Sequence, residues 1–151
     1  MRWFVSAALL IVGSFAVIAA EKDAAKEEIA KWQGVWRPVL MEHDGEQTPD
    51  EKLKAIKLTV EDDKYHFENG DFSERGTYRF DPSQDPKALD IVVGDGEEDK
   101  VYLVIYKVEG DKLTICLEAE NAKRPTEFTG KKGSGCVLEV WQRQKPQPPA
   151  E

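Results

Sequence analysis

From Gly34 onward, apolar residues fall at every second position in short runs, and Gly, Asp, Asn or Pro clusters interrupt them at regular intervals. Ile56, Leu58 and Val60 alternate with Lys57, Thr59 and Glu61; Tyr65 and Phe67 alternate with Lys64, His66 and Glu68; Leu113, Ile115 and Leu117 repeat the pattern. A period of two is a strand with one buried and one wet face. The pattern predicts eight strands: Val35 to Glu42, Ala55 to Glu61, Lys64 to Glu68, Phe72 to Phe80, Ala88 to Val93, Lys100 to Val108, Lys112 to Glu118 and Cys136 to Arg143. Turns such as Asp62-Asp63, Asn69-Gly70-Asp71 and Gly110-Asp111 are short and rich in residues that tolerate positive φ, so neighbouring strands should run antiparallel. An all-β, eight-stranded up-and-down barrel would leave no edge exposed. A two-sheet sandwich is the alternative.

Two strands carry less phase information. Lys100 to Val108 is apolar on both faces, with Val101, Leu103 and Ile105 interleaved with Tyr102, Val104 and Tyr106. Its outer face needs a cover, and the N-terminal helix is the candidate. In the last strand, placing Glu139 in water turns Leu138 and Cys136 inward.

Before the strands the periodicity differs. Met1 to Ala20 has one charge, Arg2, then an unbroken run of apolar and small residues ending at Ala19 and Ala20, the pattern of a secretory signal peptide. An uncleaved membrane anchor is the weaker reading, because the run is short for a span and lacks a polar anchor before Glu21. Export to the periplasm or the extracellular space, with no stable membrane insertion once the leader is removed, is the expectation. Residues 21–33 form a short helix rich in Ala, Glu and Lys, with Ile29 and Trp32 as an apolar face suited to dock on or plug something. Residues 34–143 form the barrel, and 144–151 a Pro-rich tail expected to be disordered.

Composition narrows the partners. The 151 residues carry 29 acidic against 21 basic side chains, a formal charge of -8. Nucleic acid and anionic membranes need a basic face, so both are disfavoured.

Motifs that specify chemistry are scarce. His43 and His66 lack metal-ligand spacing, and Gly94 to Asp99 lacks the alternating ligands of a calcium loop. Gly130 to Gly135 (GKKGSG) leads into a strand and lacks the phosphate-loop order. No catalytic residue, metal or cofactor is expected, and an enzyme is the least favoured class. Cys116 and Cys136 fit a disulfide in an exported chain, although the strand phases above place them on opposite faces; two separate buried thiols are the other reading. In the RPTEF segment, Arg124 is either a clamp for an anionic ligand at the barrel mouth or half of a structural ion pair with Asp90 or Glu127, with Phe128 capping the core.

The WQGVW run, with Gly34 two residues before Trp36 at the start of the first strand, resembles the lipocalin signature. With GTYRFDPSQDPKALD (76–90), GDKLTIC (110–116), RPTEF (124–128) and LEVWQR (138–143), it resembles an uncharacterised family of small lipocalin-like domains found mainly in planctomycete proteins. The resemblance implies a barrel and no established activity. It also implies that Arg143 stacks over Trp36 at one barrel end, a cation-π contact worth roughly 0.5 to 2 kcal/mol.

The leading functional expectation is non-catalytic binding of one small, mainly apolar molecule, with Tyr65, Phe67, Tyr78, Phe80, Leu103 and Ile105 as candidate cavity lining and Arg124 as a candidate ligand contact. The alternative is a filled barrel that acts as a structural or protein-interaction module in the cell envelope. A barrel of this size sits between the two cases, because its interior is either filled by side chains or just wide enough for one ligand.

Overall fold

The computed structural model of the protein describes residues 13–94, 100–121 and 123–149. Helix α1 (Gly13–Trp32) is followed by β1 (Gly34–His43), β2 (Glu46–Gln47), the one-turn α2 (Asp50–Leu53), β3 (Ile56–Glu61), β4 (Lys64–Asn69), β5 (Phe72–Asp81), β6 (Ala88–Val93), β7 (Lys100–Glu109), β8 (Lys112–Glu118) and β9 (Cys136–Arg143). β1 pairs with β3, each later strand pairs with the next, and β9 returns to β1. The result is a closed eight-stranded antiparallel up-and-down barrel, with β2 a short spur on the end of β1. The closing seam runs from Trp36 opposite Arg143 to His43 opposite Val137, and a bulge at Val39 keeps Pro38 and Met41 in phase with Trp141 and Glu139.

Sequence periodicity places these eight strands within a residue or two of their ends. It misses β2 and α2, which occupy the long connection after β1. α1 also starts earlier than expected and runs unbroken through Ala19 and Ala20. Residues 144–149 carry no helix or strand, and the amide of Gln144 donates to the Val35 carbonyl.

α1 does not cover the outer face of β7. Its C-terminal turn plugs one end of the barrel instead. Trp32 is fully buried there and meets Tyr78, Phe80 and Tyr106 edge-on, with ring centroids 5.0 to 5.2 Å away. The last carbonyls of a helix have no intrahelical donors and must find partners elsewhere. Here the barrel supplies them: Trp36 Nε1 donates to the Trp32 carbonyl at 2.8 Å, and Arg143 donates through Nη2 to the Lys31 carbonyl at 2.6 Å and through Nη1 to that of Gln33. The guanidinium lies 4.2 Å from the centre of the Trp36 ring, the predicted stack. Gly34, at φ +117°, lets the chain turn sharply from helix to strand against the Arg143 stem. Glu28, buried at the same junction, accepts from Lys31 (2.7 Å), Lys87 (2.6 Å) and Tyr106 (3.0 Å). Burial pushes its carboxyl up, but these three donors outweigh that and hold it below the usual range.

The cover over β7 is the β8–β9 connection. Asn121 Oδ1 accepts from the Leu103 amide, and Asn121 Nδ2 donates to the Val101 carbonyl. Phe128 packs on a cluster of Ile105, Cys116, Cys136 and Leu138. Leu103 and Ile105 therefore face this cover and not the lumen; Tyr102, Val104, Tyr106 and Val108 belong to the inner core. Cys136 and Leu138 likewise point outward, against the inward phase expected of them. Both cysteines are free, buried and on the same face, in one cluster. Burial pushes the Cys116 thiol up to about 11, so it stays protonated and inert at neutral pH.

Replacing Arg143 with Met keeps the stem and removes the charge and the donors to the helix end. Urea unfolding should show a loss of about 2 kcal/mol. A loss below about 0.5 kcal/mol would mean that packing alone joins α1 to the barrel.

Candidate functional site

The two halves of the barrel differ. The half against α1 is solid, filled by Trp32, Trp36, Leu89, Val104, Tyr106 and Leu113, each at most 1% exposed. The other half holds an open cavity of about 250 Å³. Leu58, Tyr78, Ile115 and Trp141 line it beside the filled half, and Phe67, Phe72, Glu74, Ile91, Tyr102 and Leu117 line it toward the mouth. The aromatics interlock: Tyr65 stacks on Tyr78 with centroids 4.9 Å apart, and Phe67 meets both Phe72 and Trp141 edge-on. Gly76 permits the Tyr65 approach, because a Cβ there would lie 2.7 Å from the Tyr65 ring and 2.0 Å from the Val92 carbonyl oxygen.

Two carboxylates enter this apolar space. Glu74 accepts from the Tyr65 hydroxyl at 2.9 Å, and Glu139 accepts through Oε2 from Trp141 Nε1 at 3.0 Å. Burial pushes the Glu139 carboxyl up to about 7, and the indole N–H only partly opposes this. Tyr78 is driven well above its ordinary value, first by burial and then by Tyr65, Glu139 and Glu74 around it. The interior therefore contains an acid that titrates near neutrality with no cation bonded to it.

Tyr65, Phe67 and Tyr78 line the cavity as expected. Phe80 packs on Trp32 in the filled half, and Leu103 and Ile105 lie outside the barrel wall. Arg124 is not at the mouth. It lies on the outer wall, bonded to Asp90 at 2.6 Å and to the carbonyls of Leu89 and Val104 at 2.8 and 2.7 Å, where it pins the β8–β9 connection. With three of its five donors on backbone carbonyls and a carboxylate it is a structural ion pair, and Glu127 is exposed and not its partner. Gly130 belongs to the same strap; its carbonyl accepts from Gly45, and a Cβ on it would meet the Glu42 carbonyl oxygen at 2.5 Å. Among the described residues, no group of three or more His, Cys, Asp or Glu side chains is placed to hold a metal ion. In the acidic Gly94 to Asp99 run, residues 95–99 lie outside the described residues.

Glu139 is the residue that periodicity missed. The signal was present: Arg143 stacked over an inward Trp36 puts every second residue of β9, Trp141 and Glu139, on the inner face as well. The same parity argument applies to β7. The Gly110-Asp111 turn pairs Val108 with Leu113, so an inward Leu113 makes Val108, Tyr106, Val104 and Tyr102 inward. No family model, curated protein or solved structure matches the chain.

The sign of the pH effect follows from the raised value. The folded protein binds a proton at Glu139 more tightly than the unfolded chain, whose carboxyl has the ordinary value of 4.5. This contribution to stability is fully present below that value and is lost as pH rises through about 7. Glu139→Gln keeps an acceptor for Trp141 and removes the slope. It should melt with the wild type at pH 4 and above it at pH 8; equal melting temperatures at pH 8 would place the carboxyl in ordinary solvent.

Proposed function

We propose that the protein is an exported, non-catalytic binding barrel of the lipocalin-like family, holding one small, mainly apolar molecule in its hollow half. The observation that carries this reading is the open cavity of about 250 Å³ beside a solid plug. Small-molecule pockets begin at about 300 Å³, so the fitting ligand is a single-ring compound or a short chain and not a large lipid. The lining is dominated by aromatic and aliphatic side chains with a few polar groups, the usual composition of such sites. Export is supported by the apolar leader. Glu28, Ile29 and Trp32 all follow Ala20, so cleavage there leaves the plug of the barrel attached. Among the described residues no helix is long and apolar enough to cross a membrane.

Two measurements test the reading. Native mass spectrometry of protein purified from its source should show retained mass, and Leu117→Trp, which fills the cavity from its wall, should abolish it while leaving the fold intact. Retained mass in the filled variant would move the site elsewhere; no retained mass in the wild type would favour the interaction module. Protein recovered outside the cytoplasm should begin at Ala20 or Glu21 by N-terminal sequencing, and a chain beginning at Met1 would overturn export by a cleaved leader.

A further inference from the structure

The chemistry of the cavity selects among small apolar molecules. Six of its lining residues are aromatic: Tyr65, Phe67, Phe72, Tyr78, Tyr102 and Trp141. Aromatic faces attract cations, and a cation loses least when it enters a pocket that also offers anionic oxygens. Two are present, and each carboxylate commits one oxygen to the protein, Glu74 Oε1 to Tyr65 and Glu139 Oε2 to Trp141. That leaves Glu74 Oε2 and Glu139 Oε1 for a guest. No Lys, Arg or His is part of the lining. A cation already uses this wall: Lys100 Nζ sits 4.8 Å over the Tyr102 ring at the mouth. A carboxylate ligand would meet two carboxylates in the lining, with Lys100 only at the mouth, and a neutral one would leave those oxygens unused.

We propose that the cavity takes a small organic cation, a protonated amine on a compact apolar body, with the ammonium at the free carboxylate oxygen of Glu139 and the body against the aromatic wall. This rests on the binding role above and names the class of ligand. Binding a cation favours the ionised form of Glu139, so affinity for an amine rises as pH rises through neutrality. Met41 from β1 and Ile115 from β8 flank Glu139 in register, and Tyr102 from β7, Glu74 and Tyr78 from β5 and Tyr65 from β4 line the same cavity. Beyond them Lys100 lies at the mouth and His43 at the exposed end of β1, two residues past Met41. His43 is the control position for a contribution from outside the cavity.

Three probes of one size separate the possibilities: benzylamine, benzyl alcohol and benzoate, titrated into the full chain by calorimetry at pH 6 and pH 8. Benzylamine should bind at least tenfold more tightly than benzyl alcohol at pH 8, gain about tenfold between pH 6 and pH 8, and exclude benzoate. Glu139→Gln, its fold checked by melting at pH 4, should cut amine affinity about tenfold and leave alcohol affinity unchanged, whereas His43→Gln should keep the pH step. Alcohol binding as tight as amine binding would overturn the cation preference and leave the carrier standing. A pH step lost in His43→Gln would overturn the assignment to Glu139. Failure of all three probes to bind would overturn both the amine proposal and the binding role.

Discussion

The antiparallel seam between β1 and β9 gives every other residue its side. Until those two strands pair, the other strands form an open sheet whose two faces are equivalent in topology. Once they pair, each alternating position is either inside or outside. The seam also brings Arg143 over Trp36, aims its two terminal nitrogens at the end of α1 and leaves Nε to Asp111. Barrel closure, helix capping and sealing of one end thus rest on the same two residues, Trp36 and Arg143. The bulge at Val39 lets the seam continue past Pro38 without throwing Met41 and Glu139 out of phase.

Sealing one end so completely divides the labour along the barrel axis. Trp32, Trp36 and Tyr106 are almost wholly buried in the plugged half, and the buried Glu28 is compensated by three donors. The other half does not close on itself. Its large side chains stack or meet edge-to-face around a remaining space, into which Glu74 and Glu139 each carry one hydrogen-bonded carboxylate. A half-buried acid with only an indole N–H for support is costly to a fold, and such costs persist mainly at sites that do something. The outer wall is settled differently, by a strap: Asn121, Arg124 and Phe128 use backbone bonds, an ion pair and an apolar contact to shield the second apolar face of β7.

The strands, their order and the closed barrel were legible in the sequence, because alternation and two-residue turns are local signals and strong ones. The stack of Arg143 on Trp36 came from resemblance and agrees with the geometry. The interior was read less well, and Glu139 shows why. Placing a carboxylate in water is the right default for a filled core, but it fails beside a cavity, where the acid has space and a neutral form to adopt. Arg124 erred in the opposite sense, a guanidinium suited to a ligand that is instead pinned to the outer wall by Asp90 and two carbonyls.

By itself the sequence determined that the chain forms alternating strands joined by tight turns, with a helix ahead of them bearing Trp32 on its apolar face. Only the tertiary structure decided which face of β7 and β9 looks inward, where α1 docks, and that half of the barrel stays hollow. The reason is physical: a strand apolar on both faces gains nearly the same burial either way. The choice then passes to partners distant in the chain, the β8–β9 strap on one side and the aromatic wall on the other.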